Sequence, residues 1–92
     1  MLVQSFRYIF ATMNTYGESL EHALSTQIRV EMLGREMEQQ ELAEKVGINR
    51  VTMNRYLKGH SSMPMPIFFK VAEALDLSPR ELMERAEARI AQ

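Results

Sequence analysis

Apolar residues recur every four positions along the early part of the chain, the spacing that places side chains on one side of an α-helix. The repeat consists of Leu20, Leu24, Ile28 and Met32. Glu18 suits the positive N-terminal end of such a helix, and Arg35 suits its negative C-terminal end. Gly34 marks the stop. The pattern therefore predicts a first helix over residues 18–35.

A second helical pattern follows a few residues later and is interrupted by Gly47. The apolar positions before and after this glycine are Leu42, Ala43 and Val46, then Ile48, Met53 and Tyr56. Two helices can cross steeply when the contact residue is small, the turn tolerates positive φ and the facing positions are apolar. Ala43, Gly47 and the flanking apolar residues meet these conditions. The sequence therefore predicts a helix-turn-helix, with helices over residues 39–46 and 50–58.

The remaining helices are predicted from their start and stop signals. Asn49 is a favourable N-cap for the third helix, which should stop at Gly59. A fourth helix should begin near Pro64 and Pro66, because amide donors are dispensable in a first turn. A fifth is opened by the capping box that begins at Ser78. No strand is required between residues 18 and 92, so the sequence predicts an all-α bundle of about five helices.

Residues 1–16 are apolar and do not show which structure they form. Leu2, Val3, Phe6, Ile9 and Phe10 are compatible with a short strand or with a helical turn. Such an arm can dock on the core of its own domain, contact a second subunit, or remain a frayed tail. We therefore divide the chain into an N-terminal apolar arm, a candidate dimer contact, and a domain over residues 17–92.

Charge is distributed unevenly, although the chain has a net charge of only −1. No Asp or Glu occurs from Lys45 through Ala72, a stretch that we call the acid-free zone. Its basic residues are Lys45, Arg50, Arg55, Lys58 and Lys70. Acidic residues outnumber basic ones in the segments 17–44 and 73–92. A basic zone that coincides with a helix-turn-helix pattern favours nucleic-acid binding, whereas chance solvation of one helix face is the simpler alternative.

Composition excludes several other classes of protein. The absence of cysteine rules out disulfides, thiolate metal sites and a cysteine nucleophile. His22 and His60 have no ligand-like spacing to a carboxylate, and no catalytic triad or phosphate-binding glycine loop is present. No apolar run approaches the length of a membrane span, and no signal-peptide pattern is evident. We therefore expect a cytoplasmic protein that is not an enzyme and that needs no cofactor, no metal and no membrane.

Two motifs carry a resemblance to a known family. Residues from Gln39 to Gly59 follow the pattern Q-x-x-L-A-x-x-V-G-I-N-x-x-x-M-x-x-Y-x-x-G, and those from Ala72 to Leu82 follow A-x-A-L-D-L-S-P-x-E-L. Both resemble the Cro/repressor-type helix-turn-helix family of phage and bacterial regulators, the XRE-like family, over roughly residues 24–84. The resemblance implies a lambda-repressor-like domain acting as a homodimeric repressor on a near-palindromic operator. Its recognition helix would lie in the major groove, with half-sites ~34 Å apart.

The resemblance also implies roles for individual residues. The implied base-contacting residues are Arg50, Val51, Asn54 and Arg55. The implied backbone-contacting residues are Gln39, Asn49, Thr52, Lys58, His60 and Ser61. Gln39 would also brace a base-contacting side chain, and Tyr56 would belong to the core.

The four residues implied to contact bases have side chains suited to reading them. The guanidinium of arginine can bond O6 and N7 of guanine together, whereas lysine cannot match this geometry. Asn54 can pair with adenine, and Val51 can contact a thymine methyl group. For Arg50 and Arg55 the alternative is a phosphate contact or a solvated surface position. His60 is either a pH-sensitive contact or an ordinary surface histidine.

Two departures from the family pattern affect the expected structure. Glu36 occupies a position where the family often has glycine, so the turn after the first helix is expected to differ. Some members pair an arginine in the first helix with a glutamate late in the recognition helix. The corresponding residues here are Met32 and Leu57. We predict that these two side chains pack together, because a hydrophobic contact can replace an ion pair without loss of stability.

A function of a different class remains open from the sequence. The apolar arm and the apolar positions of the fifth helix also suit a protein-interaction module, such as an antitoxin-like or adaptor subunit. The leading interpretation is a sequence-specific DNA-binding regulator that binds double-stranded DNA as a homodimer, with a protein partner as the alternative.

Overall fold

The computed structural model describes the backbone of residues 2–90 and the side chains of residues 16–90. The chain forms five helices in the order α1 (Leu2–Gly34), α2 (Gln39–Val46), α3 (Arg50–Leu57), α4 (Met65–Ala74) and α5 (Pro79–Ile90). Over these residues there is no strand, which confirms the all-α prediction. None of these helices combines the length and the apolar character that crossing a membrane requires.

Helix α1 begins much earlier than predicted. Its first residue is Leu2 rather than Glu18, so the backbone of the apolar arm belongs to the same helix as the first apolar repeat. The predicted start was wrong because Glu18 and the apolar repeat from Leu20 do not exclude further helical turns before them. The interior glycine, Gly17, does not stop the helix, since it costs only about 1 kcal/mol. The side chains of residues 1–15 lie outside the described residues, and so does the suggested dimer contact of the arm.

One continuous hydrophobic core joins all five helices. Helix α5 packs along α1, and α2 packs against both α3 and α4. The buried cluster consists of Ile28, Met32, Leu42, Ala43, Val46, Met53, Leu57, Phe68, Val71, Ala72, Leu75 and Leu82. Met32 and Leu57 both belong to this cluster, as the replacement of an ion pair by apolar side chains requires. Tyr56 is only partly buried, so the prediction that it is a core residue was too strong.

The four turns between helices are built in the same way. Each contains one residue with a left-handed backbone: Glu36 (φ 53°), Gly47 (φ 86°), Gly59 (φ 75°) and Asp76 (φ 60°). The next amide then bonds back to the preceding helix, from Met37, Ile48, His60 and Leu77 to the carbonyls of Met32, Ala43, Arg55 and Ala72. This is the arrangement that satisfies the last carbonyls of a helix.

Glu36 is unusual because it is neither glycine nor one of the short polar residues, asparagine and aspartate, that tolerate a left-handed backbone. A side chain with Cβ costs roughly 1–2 kcal/mol in the left-handed region. The turn after α1 keeps the conformation that a glycine would adopt, so the expectation that this turn differs was wrong. Gly34, which was predicted to mark the stop, is the last helical residue, but Glu36 supplies the left-handed turn.

We predict that Glu36→Gly stabilises the protein by about 0.5–1 kcal/mol. The substitution removes the left-handed penalty, and the larger chain entropy of glycine in the unfolded state offsets part of the gain. Urea denaturation measures the change. Glu36→Ala is the matched control, because it removes the carboxylate but keeps Cβ and should give no gain. Equal stabilisation by both variants would assign the effect to charge instead of backbone conformation.

A buried polar cluster fastens α5 to α1. The Glu31 carboxylate accepts hydrogen bonds from Arg85 at 2.7 Å, Arg35 at 2.6 Å and Gln27 at 2.7 Å. Arg89 adds a bond to Gln27 at 2.6 Å. Burial alone would raise the pKa of Glu31, but the bonds from Arg85, Arg35 and Gln27 and the charge of Arg85 lower it from 4.5 to about 2. The folded state therefore strongly favours the ionised carboxylate.

The lowered pKa of Glu31 predicts a loss of stability in acid. Its contribution is complete above about pH 4.5, the unfolded value, and disappears as the pH falls towards 2. The shift corresponds to about 3 kcal/mol at most, and we expect roughly 1–2 kcal/mol because Arg35 and Arg85 remain partly in solvent. Denaturation from pH 7 to pH 2 should show that Glu31→Gln is destabilised at neutral pH and depends less on pH in this window. Glu21→Gln, an exposed change on the same helix, should follow the parent profile.

Candidate nucleic-acid interface

The packing of α2 against α3 determines which residues of α3 face outward. Both helices bury their apolar sides, with Ala43 at 1% exposure and Met53 at 0%. Gly47 makes the turn between them, with φ 86°. The opposite side of α3 is left in solvent, and Val51 there is 72% exposed. A single exposed valine is common on protein surfaces, and here it leaves Val51 outside the core and open to a contact.

The start of α3 is fixed by its cap. The Asn49 side chain accepts a hydrogen bond from the Thr52 amide at 2.8 Å, as predicted for an N-cap. Arg50 therefore lies at the first helical position, where it is exposed. Arg50 and Val51 leave the helix at its N-terminal end, which is the part of a recognition helix that approaches base edges.

Gln39 and Asn54 are joined although they lie on different helices. The Asn54 amide nitrogen donates to the Gln39 side-chain oxygen at 3.0 Å, and the pair is partly buried. Gln39 thus braces an outward side chain of α3, the contact implied by the family resemblance. The amide of Asn54 keeps its oxygen and one N–H for a further partner.

Arg55 is held by the loop that follows α3, whereas Asn54 is held by α2. Its Nε donates to the Ser61 hydroxyl at 3.2 Å, across the loop that follows α3. The same end of α3 is tied to α1, because the Ser25 hydroxyl donates to the Tyr56 carbonyl at 2.9 Å. The sequence analysis did not identify Ser25, since a serine in the middle of a helix carries no sign of a bond to another helix.

The remaining predicted site residues lie around the same surface. Lys58 and His60 are exposed at the end of α3, and Thr52 is partly buried. Glu38 lines a shallow depression together with Gln39, Gln40, Arg50 and Asn54. The acid-free zone contains no acidic residue in the sequence, but in the structure the side chain of Glu38 lies beside it.

Cations in the acid-free zone are not used in internal ion pairs. The salt bridges found among residues 16–90 join Arg35 and Arg85 to Glu31, and Arg80 to Glu84. None involves a residue from Lys45 through Ala72. Within the same residues no group of His, Cys, Asp and Glu is arranged to hold a metal ion. The exposed face of α3 thus combines unpaired positive charge with amide donors and acceptors, which suits an anionic polymer such as DNA.

Comparison with known proteins assigns the family. The model of the Cro/C1-type helix-turn-helix DNA-binding domain matches residues 27–87. The chain belongs to this family. The match confirms the resemblance carried by the two sequence motifs and includes α2 and α3 in full. The DNA-binding domain of the Cro/C1 type is thus the part of the protein that carries the surface described above.

A solved structure agrees with the fold. The crystal structure of the clp gene regulator ClgR from Corynebacterium glutamicum superposes with a TM-score of 0.74 and 21% sequence identity, covering 78% of this chain and 77% of that chain. At this identity the similarity establishes the fold alone. None of the curated proteins compared with the chain matches it significantly.

We predict that Gln39 and Asn54 are energetically coupled. In a double-mutant cycle, Gln39→Ala and Asn54→Ala should show an interaction free energy of about 0.5–1.5 kcal/mol in urea unfolding, because each removes the same partly buried hydrogen bond. Gln40→Ala is the matched control. Gln40 lines the same depression but bonds to Glu44, so its effect should add to that of Asn54→Ala. Additive effects for both pairs would mean that the bond contributes nothing in solution.

Proposed function

We propose that the protein is a sequence-specific transcriptional regulator, a small repressor that reads operator half-sites in the major groove through residues 49–55. The observation that carries the proposal is the outward face of α3, where exposed Arg50, Val51 and Arg55 adjoin the braced Asn54. The lack of internal ion pairs in the acid-free zone supports the same conclusion, because positive charge left free can neutralise phosphates.

Base reading is assigned to four side chains. Arg50 and Arg55 each offer paired donors for O6 and N7 of guanine, and Val51 offers methyl groups to a thymine. Asn54 reads adenine, since one N–H remains to donate to N7 and its oxygen can accept from N6. In the bonded arrangement one Asn54 N–H points to Gln39, which leaves the amide oxygen and the second N–H for the edge of an adenine.

Backbone contacts are assigned to the polar residues around this face. They are Gln39, Asn49, Thr52, Lys58, His60 and Ser61. Gln39 can serve in both ways, because its oxygen accepts from Asn54 while its NH₂ group remains free to donate to a phosphate. Such contacts set the position of the protein on the duplex and add affinity without choosing a sequence.

The proposal includes a homodimer on a near-palindromic site. One recognition helix contacts only a few base pairs, and two copies with half-sites ~34 Å apart would double the number of bases read. Helix α5 and the N-terminal part of α1 are the proposed dimer contacts. Selection of bound sequences from a random DNA pool tests this directly, since a dimer should recover inverted repeats and a monomer single half-sites.

We predict that Arg50→Ala lowers affinity for the selected site by about 1–3 kcal/mol, or roughly five- to 150-fold, and relaxes preference at one base pair. Lys58→Ala should instead weaken binding to all sequences equally and reduce the dependence on salt. Fluorescence anisotropy at several salt concentrations measures both effects.

Arg80→Ala is the matched control for these variants. Arg80 is an exposed arginine on α5, where it pairs with Glu84, far along the chain from the acid-free zone. Unchanged DNA binding by an Arg50→Ala/Arg55→Ala double mutant would refute the reading face. A stoichiometric protein partner with no measurable DNA affinity at about 50 mM salt would favour the interaction module instead.

A further inference from the structure

The bond between Arg55 and Ser61 gives Ser61 a function that its position in the sequence does not reveal. Arg55 lies in the last turn of α3, and Ser61 lies in the loop beyond it. The acceptor oxygen of Ser61 is 3.2 Å from Nε of Arg55. A serine in the loop thus accepts a hydrogen bond from Nε of Arg55, the guanidinium nitrogen nearest to the aliphatic part of the side chain.

The loop that carries Ser61 is fixed at both ends. At its start, the His60 amide bonds to the Arg55 carbonyl at 2.9 Å and the Gly59 amide to the Tyr56 carbonyl at 3.1 Å. At its end, Met63 packs against the hydrophobic core. The Ser61 hydroxyl is therefore presented to Arg55 by a backbone that is already in place.

The choice of Nε as donor decides how the rest of the guanidinium can bind. An arginine has five N–H donors, and pairs of them can grip a planar acceptor either through the two terminal nitrogens or through Nε and one terminal nitrogen. Because Nε–H is bonded to Ser61, Arg55 cannot also use Nε and one terminal nitrogen to bind a planar acceptor. The two terminal nitrogens remain as the free pair.

We propose that Ser61 is a specificity-determining positioning residue, which holds Arg55 so that its two terminal nitrogens meet O6 and N7 of guanine. The inference rests on the proposed function, and it refines the role of Ser61 from a backbone contact to the support of a base contact. Holding a long side chain in its binding conformation also reduces the entropy lost when DNA is bound.

The test compares Ser61→Ala with Ser61→Thr and Ser62→Ala. The threonine variant keeps the hydroxyl, and Ser62 is a neighbouring exposed serine whose side chain has no hydrogen bond to the side chains described, those of residues 16–90. Affinities are measured for the selected operator, for operators with each guanine replaced, and for unrelated DNA. Ser61→Ala should lower the preference for one guanine about three- to tenfold, measured as the ratio of the affinities for the selected operator and for the operator that lacks this guanine. Arg55→Ala should abolish preference at the same position.

A measurement without DNA tests the geometry separately. The ¹⁵N–¹H signal of the Arg55 Nε group should be protected from exchange in the parent, Ser61→Thr and Ser62→Ala proteins, and lose protection in Ser61→Ala. An equal loss of affinity for all sequences in Ser61→Ala, or an unchanged guanine preference, overturns the positioning role alone. No sequence preference in the parent protein overturns the proposed function, and this inference with it.

Discussion

The packing of α2 against α3 is the constraint on which the candidate site depends. Ala43 is buried on α2, and Gly47 makes the left-handed turn that joins the two helices. Helix α3 has only about two turns, and Met53 and Leu57 are buried on one side of it. The residues on the opposite side are therefore exposed to solvent. The exposure of Arg50, Val51 and Arg55 is therefore a consequence of core packing. A bulky residue at 43 would shift α3 and move every proposed DNA contact together.

Polar contacts supplement the core where apolar packing alone does not determine how two helices align. Helix α1 is long and could pair with α5 in more than one register. Arg35 pairs with Glu31 within the same segment of the chain, so the register is selected by Arg85 alone, which must lie where it can reach the Glu31 carboxylate. Buried ion pairs add little net stability compared with apolar side chains, but they discriminate strongly against arrangements that leave the charge unpaired. We therefore interpret this cluster as fixing the position of α5, with its benefit to stability secondary.

Local signals made most of the fold predictable from the sequence. Helices α2 to α5 were defined by caps, prolines and glycines whose effects depend on a few neighbouring residues, as at Asn49 and Ser78. The start of α1 was missed because no comparable signal lies near Leu2 and the apolar residues of the arm fit a strand as well as a helical turn. Side-chain pairs distant in sequence, such as Ser25 with Tyr56 or Gln27 with Arg89, depend on how the helices are arranged and leave no local pattern. The outward residues of α3 were predictable from periodicity, and the family resemblance implied the brace from Gln39. The bond between Arg55 and Ser61 was not predicted.

The four proposed base-reading side chains differ in how far the protein itself orients them. Asn54 is held by Gln39 and Arg55 by Ser61, whereas Arg50 and Val51 have no such support among the side-chain bonds of the described residues. A side chain that is already oriented loses less entropy on binding but adapts less to a mismatched base. Discrimination should therefore be sharpest at the bases facing Asn54 and Arg55. The N-terminal end of α3 should tolerate more variation, because an arginine that the protein does not hold can exchange a guanine for a nearby phosphate.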